Sequence, residues 1–127
     1  MTADVAVVIP THERADLVGR AIASALAQTA PPSRIVVVDD AADAATEQVV
    51  RSLARAHPGR IGYISVDPSS SGGASASRNA GVAACAEPLI AFLDDDDWWD
   101  DRYLEQALAV RERTAADVVL TPSWMVV

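Results

Sequence analysis

Short runs of continuous apolar residues alternate along the chain with longer segments in which apolar residues recur every three or four positions. Continuous β-branched runs are typical of strands buried on both faces, and the longer spacing is typical of helices with one buried face. The pattern predicts five strands, at Val5–Ile9, Ile35–Val38, Ile61–Val66, Leu89–Leu93 and Asp117–Leu120. It predicts four helices between them, at Asp16–Gln28, Asp43–His57, Ser75–Cys85 and Asp100–Thr114.

This strict alternation predicts an α/β fold with a mostly parallel sheet and helices on both faces, because each strand-helix-strand unit crosses over in the right-handed sense. Pro10 is expected to end the first strand, and Pro31-Pro32 to stop the first helix. Ile61–Val66 alternates in polarity and is predicted at an edge. The chain has 127 residues without a visible repeat or linker, which predicts one domain.

Composition narrows the classes of partner. The formal net charge of −8 argues against nucleic acid and against adsorption to anionic lipid. The single cysteine, Cys85, cannot form an internal disulfide and fits a reducing compartment. The sequence shows no signal peptide and no apolar stretch long enough to span a bilayer. These features predict a cytoplasmic protein, with peripheral association at the inner face of a membrane as the alternative.

Polar residues follow three of the predicted strands. The residues after these strands are Pro10-Thr11-His12-Glu13, Asp39-Asp40 and Asp94–Asp97. In open parallel sheets, ligands bind beyond the carboxyl ends of the strands, near the point where the strand order reverses. These groups are therefore predicted to converge at one edge of the sheet.

The acidic run Asp94–Asp97 is the sharpest of these signals. Adjacent carboxylates repel one another, and a hard divalent cation such as Mg²⁺ or Mn²⁺ removes the repulsion. Asp94 and Asp96 point to the same side if the chain is still extended there. The alternative is a solvated acidic turn before a helix. The position after a buried strand favours the metal site.

The other polar groups each allow two interpretations. Asp39-Asp40 can accept hydrogen bonds from a base or ribose, or can be ordinary turn residues. The small-residue segment 72–81 matches neither the dinucleotide fingerprint nor the P-loop, and its Arg78 can pair with a phosphate or with the acidic edge. His12 can stack on a nucleobase or act as a base. Trp98 and Trp99 can pack in the core and at its rim, or form a sugar platform.

Taken in order, these motifs resemble glycosyltransferase family 2, a family of inverting enzymes with the GT-A fold. Each motif alone is weakly specific, whereas the ordered set over nearly the whole chain is strong. The matching stretches are Val7–Thr11, Ala25–Thr29, Val36–Asp40, Ala76–Gly81 and Ala91–Trp99.

The resemblance implies a nucleotide-diphosphate sugar donor, usually a UDP-sugar, and transfer to an acceptor hydroxyl with inversion. It implies that Asp94 and Asp96 form an Asp-x-Asp motif holding Mn²⁺ or Mg²⁺ on the diphosphate. The acceptor class, whether saccharide, lipid or protein, stays open. The predicted nucleotide-binding residues are Pro10, Thr11, His12, Glu13, Asp39, Asp40, Arg78 and Asp95.

The chain departs from the family in two respects. It has His12-Glu13 where an aromatic residue and Asn are usual. Family members are also about twice as long, with the catalytic base and acceptor site in their second half. The chain is therefore expected to be an incomplete GT-A domain that binds donor, lacks the base, transfers sugar poorly and self-associates through uncovered apolar surface.

Two other functions remain as alternatives. A non-catalytic module that binds a nucleotide or a protein partner would suit the short length. A nucleotidyltransferase shares the sheet architecture and the metal-bound acidic site. It would carry a glycine-rich loop after the first strand, and the segment 10–14 contains no glycine.

Overall fold

Strands and helices alternate through the part of the chain that the computed structural model describes, residues 3–67 and 73–121. The elements are β1 (Ala3–Thr11), α1 (Ala15–Leu26), β2 (Pro32–Asp39), α2 (Ala44–Ala56), β3 (Ile61–Ser65), α3 (Ala74–Ala83), β4 (Leu89–Phe92) and α4 (Tyr103–Thr114). The predicted α/β alternation is confirmed for these eight elements. No helix within the described ranges has both the length and the apolar character needed to cross a membrane.

The four strands form one parallel sheet in the order β3-β2-β1-β4. From β1 the chain moves outward through β2 to the edge strand β3, and then returns to place β4 on the other side of β1. The strand order therefore reverses between β1 and β4, where an open α/β sheet forms its ligand crevice. In register, Thr11 lies beside Asp39 and Val8 lies beside Phe92.

Helices cover both faces of the sheet, as predicted. On one face, the buried side chains of α1, together with Val50 of α2 and Leu104 of α4, form the larger core with Val7, Ile9 and their neighbours in β2. On the other face, Ala80 and Cys85 pack against a smaller cluster of Val8, Val36 and Val38.

Glycine 81 allows α3 to lie close against this second face. A Cβ atom at Gly81 would overlap the side chain of Val8 and lie 3.1 Å from a methyl group of Val38. The close approach brings the N-terminal half of α3, with Ser77 and Arg78, to the carboxyl edge of the sheet. Helix packing thereby contributes one wall of the site.

The prediction that Pro10 ends the first strand is wrong. Pro10 pairs with Val38, and β1 continues to Thr11. The carbonyl of Val8 accepts from Leu93 on the β4 side, whereas that of Thr11 accepts from Asp40 on the β2 side. Since alternate residues face opposite neighbours, the nitrogen of Pro10 faces the β4 side. The pairing with β4 ends at Val8 and Phe92, whereas the pairing with β2 continues past Pro10 to Thr11.

The predicted strand at Asp117–Leu120 is also wrong. These residues follow α4 without regular structure, and the side chains of Val118 and Leu120 are 73% and 90% exposed. An apolar run becomes a strand only when a neighbouring backbone pairs with it. The described ranges supply no such neighbour here.

Two helix ends lie inside their predicted limits because Gln28 has another role. Helix α1 ends at Leu26, and α4 begins at Tyr103 rather than Asp100. The buried amide of Gln28 donates to the carbonyl of Asp100 at 2.7 Å and accepts from the nitrogen of Leu104 at 2.9 Å. Gln28 thus joins the end of α1 to the start of α4 and fixes the loop that follows β4.

Candidate functional site

A cavity of about 260 Å³ opens at the carboxyl ends of β1, β2 and β4, beside the first turn of α3. It is polar and mostly acidic on the β4 side. Its lining residues are Pro10, Thr11, His12, Arg14, Asp40, Ala74, Ser77, Arg78, Asp94, Asp95 and Asp96. All the predicted site residues except Glu13 and Asp39 therefore lie at one cavity.

The acidic run forms a turn directly after β4. The nitrogen of Asp97 donates to the carbonyl of Asp94 at 3.1 Å, so the chain is no longer extended there. Asp95 is buried and accepts from the Thr11 hydroxyl at 2.8 Å and from Arg14 at 3.2 Å. The half-exposed side chains of Asp94 and Asp96 line the cavity beside it. Asp95 therefore anchors the turn. Asp94 and Asp96 line the same cavity, as predicted, although the backbone between them forms a turn and not the extended chain that the prediction assumed.

The acidic turn fits a hard divalent cation. Asp94, Asp96 and Asp97 each offer a carboxylate oxygen, and these three oxygens lie within 4.8 Å of one another. Burial raises the pKa of Asp97, and the negative charges of Asp96, Asp94 and Asp95 raise it further. Mg²⁺ usually takes one or two protein carboxylates and completes its shell with water and phosphate oxygens. This turn supplies suitable ligands, and Asp97 joins the two that the sequence predicted.

Two arginines neutralise part of the acidic turn. From α3, Arg78 donates to Asp94 at 2.8 Å. From the loop between β1 and α1, Arg14 lies 3.0 Å from Asp96 and 3.2 Å from Asp95, and these charges raise the pKa of Arg14. Both guanidinium groups line the cavity, where each can also reach an anionic ligand.

The β1–β2 side of the cavity carries a histidine–carboxylate pair. The Nδ1 atom of His12 lies 2.6 Å from Oδ1 of Asp40. The hydrogen bond that His12 donates to Asp40 and the negative charge of Asp40 raise the pKa of His12, and the charge of Glu13 adds to this effect. Asp40 is 15% exposed and His12 63% exposed, so the imidazole covers the carboxylate from the solvent side.

Asp39 lies outside the cavity, although it neighbours Asp40 in sequence. Its fully buried carboxylate accepts from the nitrogens of Ala41 and Asp43, at 2.9 and 3.0 Å, and from the hydroxyl of Tyr63 at 2.6 Å. Burial and the Asp39 carboxylate raise the pKa of Tyr63. These bonds fix the turn after β2, and that turn presents Asp40 to the cavity.

Glu13 also lies outside the residues that line the cavity. Its backbone is left-handed, with φ of 51°, and its side chain is 71% exposed. A left-handed residue other than glycine or asparagine is uncommon and costs free energy. The tight bend at Glu13 allows the chain to leave β1 and begin α1 at Ala15, with Arg14 beside the acidic turn.

The sequence interpretation missed Arg14, Ala74 and Ser77. Arg14 is the one arginine between β1 and α1, which was an available signal, but its acidic partners lie more than 80 positions away. Ala74 and Ser77 belong to the first turn of α3 and carried no chemical signal. Trp98 and Trp99 differ in their surroundings: Trp99 stacks on Tyr103 and packs against the larger core, and Trp98 is 45% exposed beneath Arg20.

The sequence of the chain matches a known protein family. The model of the family "Glycosyl transferase family 2" matches residues 6–125. The chain belongs to glycosyl transferase family 2. This family 2 chain is 36% identical over 115 residues to an uncharacterized glycosyltransferase of Nostoc, covering 91% of the chain and 34% of the relative.

Two further relatives are named for sugar chemistry. The family 2 chain is 38% identical over 94 residues to the succinoglycan biosynthesis protein ExoO of Rhizobium meliloti, covering 74% of the chain and 26% of the relative. It is 37% identical over 117 residues to the validoxylamine A glucosyltransferase of Streptomyces hygroscopicus, covering 90% and 25%. The chain thus spans about a third or less of the length of these relatives.

Solved structures share the fold. The TarS 1–349 structure of S. aureus superposes with a TM-score of 0.76 at 24% identity, covering 92% of this chain and 34% of that one. A mannosyltransferase of Pyrobaculum calidifontis, in complex with GDP-Man and Mn²⁺, superposes with a TM-score of 0.71 at 24% identity, covering 85% and 32%. These similarities place the parallel sheet of the family 2 chain among GT-A folds.

Proposed function

We propose that this family 2 chain binds a nucleoside diphosphate sugar, a UDP-sugar in particular, with Mn²⁺ or Mg²⁺ at the carboxyl edge of its sheet. The complete enzyme would transfer the sugar to an acceptor hydroxyl with inversion. The observation that carries the proposal is that one cavity contains both the Asp40–His12 pair and the acidic turn. In this proposal the first would accept a hydrogen bond from the base, and a cation at the second would offset the charge of the diphosphate.

The Asp40 side of the cavity suits a base with an N–H donor. Asp40 is partly buried, and its carboxylate would accept a hydrogen bond from the N3–H group of uracil. His12 lies against Asp40 and can cover the base with its ring. One of the TarS structures holds UDP and another holds UDP-GlcNAc, which supports a uridine nucleotide among the candidates.

The β4 side of the cavity suits a metal-bound diphosphate. Asp94 and Asp96, with Asp97 close by, would hold the cation. When bound, the cation supplies Lewis-acid stabilisation of the charge on the departing nucleoside diphosphate. Arg78 lines the same cavity and would pair with the diphosphate as well as with Asp94. The Mn²⁺ in the mannosyltransferase complex supports a divalent cation in this fold.

The catalytic base and the acceptor site are proposed to lie in parts of the enzyme outside these residues. An inverting transfer needs a base near the acceptor hydroxyl. The carboxylates that line the described cavity are Asp40 and Asp94–Asp96, and the proposal assigns all of them to base, turn or metal. We also propose a cytoplasmic location, peripheral to the inner membrane face if the acceptor is a lipid.

Calorimetry of UDP binding, with Mn²⁺ and with chelator, tests the proposal. The wild-type chain is expected to bind UDP at least tenfold more tightly with Mn²⁺, and Asp96→Asn is expected to remove most of that difference. Asp4→Asn is the matched control, since Asp4 is an exposed aspartate near the opposite end of β1. Equal UDP affinity with and without metal would contradict the proposal. The same samples should show little sugar transfer to simple acceptors.

A further inference from the structure

Arg14 contacts two members of the acidic turn with one nitrogen. Its Nη1 atom lies 3.2 Å from Oδ1 of Asp95 and 3.0 Å from Oδ2 of Asp96. The side chain of Asp95 is 8% exposed, and that of Asp96 is 49% exposed. One guanidinium therefore joins the buried anchor of the turn to a carboxylate of the proposed metal site.

The two contacts have different consequences. Asp95 is also held by the Thr11 hydroxyl at 2.8 Å, so the turn keeps an anchor without Arg14. Asp96 instead lies in a group of three carboxylates whose oxygens approach within 4.8 Å. A positive charge beside Asp96 reduces their mutual repulsion, which is the electrostatic effect that a bound cation would have there.

A guanidinium group and a metal cation compete for the same carboxylate. Arg14 occupies lone pairs of Asp96 that a cation would use, and its positive charge repels a cation nearby. Arg78, on α3, has the same relation to Asp94, whereas Arg14 contacts the buried Asp95 as well. Of these two arginines, Arg14 therefore joins the proposed metal site to the buried anchor of the turn.

We infer that Arg14 is a positioning residue that holds the acidic turn together when no divalent cation is bound, and that it gives up Asp96 to the cation when one binds. This inference rests on the proposed function, because it requires a cation at Asp94 and Asp96. Its consequence is that the metal-free chain keeps a formed turn but binds metal alone weakly. The diphosphate of a donor would then add the ligands that make binding tight.

Manganese binding without nucleotide tests this role. Electron paramagnetic resonance of free Mn²⁺, titrated with the 127-residue chain, measures the affinity directly. Arg14→Gln is expected to bind Mn²⁺ about two- to fivefold more tightly, the change expected from losing one half-exposed competing ion pair. Arg14→Lys keeps the charge and should remain close to wild type.

Arg20→Gln is the matched control. Arg20 also stands near the turn, where it donates to the backbone carbonyl of Asp96 at 3.3 Å and stacks over Trp98. The Arg20→Gln substitution removes one positive charge from the same region, but it breaks no ion pair with a carboxylate of the proposed metal site. If Arg20→Gln gained as much Mn²⁺ affinity as Arg14→Gln, the effect would come from the loss of any nearby positive charge, and the inference would be overturned.

Thermal melting supplies a second readout. In chelator, Arg14→Gln should melt below wild type, and Mn²⁺ should raise its midpoint by more than it raises that of wild type. Unchanged or weaker Mn²⁺ binding by Arg14→Gln would overturn the inference and leave the proposed function standing. No Mn²⁺ binding by any variant, with or without UDP, would contradict the proposed metal site and the inference together. An Arg14→Gln chain that folds only with Mn²⁺ would support the inference, and one that stays unfolded with Mn²⁺ would contradict it.

Discussion

Adjacent residues of the same type have opposite roles at this site. Asp39 is buried and fixes a turn, whereas Asp40 lines the cavity. Asp95 is buried and anchors the acidic turn, whereas Asp94 and Asp96 are half exposed beside it. The sequence indicates which segments reach the carboxyl edge. It cannot indicate which aspartate of each pair turns inward, because that depends on partners such as Tyr63 and Arg14 from distant segments.

Replacement of Asp40 tests the base side of the cavity. Asp40→Ala should weaken UDP binding at least tenfold, since a hydrogen bond to a charged group contributes about 1.5–3 kcal/mol. The fold should persist, because Asp40 packs no core side chain. Calorimetry of UDP measures the loss, and Asp16→Ala, an exposed aspartate on α1, is the control. Unchanged UDP affinity in a folded Asp40→Ala chain would reject the role.

The same variant, Asp40→Ala, tests how the His12–Asp40 pair makes stability depend on pH. Asp40 raises the pKa of His12, so the pair stabilises the folded chain below the ordinary histidine pKa of about 6.5. That contribution is lost as the pH rises through the raised value in the folded state. An NMR titration should show the pKa of His12 falling toward its ordinary value in Asp40→Ala. An unchanged pKa of His12 in Asp40→Ala would show that the 2.6 Å contact with Asp40 does not stabilise the protonated imidazole.

At the scale of elements, the sequence predicted the eight strands and helices of the described ranges because short apolar runs alternate with longer segments of mixed polarity. The strand predicted at Asp117–Leu120 is absent because pairing depends on a neighbour that periodicity does not reveal. Pro10 misled in the opposite direction, since its missing N–H faces β4 and the pairing with β2 continues to Thr11. The local pattern thus predicts elements well and their ends poorly.

Helix α3 tests how an element places the site. Gly81→Ala should lower the free energy of unfolding by about 1–3 kcal/mol, because the new methyl group overlaps Val8 and forces the helix from the sheet. Better helix propensity returns at most about 1 kcal/mol of this loss. Urea denaturation measures the change. Gly62→Ala in β3 is the control, since a Cβ atom there has no heavy atom within 4 Å, and a loss as large in Gly62→Ala would remove the explanation.

At the scale of the whole molecule, the chain carries the proposed donor site at one edge of its sheet, and it spans about a third or less of the length of the relatives named above. Exposed apolar side chains at Phe92, Val118 and Leu120 are consistent with further contacts, and self-association through them stays a prediction. In the proposed arrangement binding and transfer are separable, because the residues at the cavity would serve nucleotide and metal, whereas rate acceleration requires contacts made in the transition state.

The central claim is that one cavity binds the nucleotide and its metal together. A crystal structure of the chain with UDP and Mn²⁺, with anomalous data for manganese, measures both at once. We expect an anomalous peak about 2 Å from carboxylate oxygens of Asp94 or Asp96, with the diphosphate beside it and the uracil against Asp40. A manganese peak away from the acidic turn, or UDP bound outside this cavity, would contradict the account.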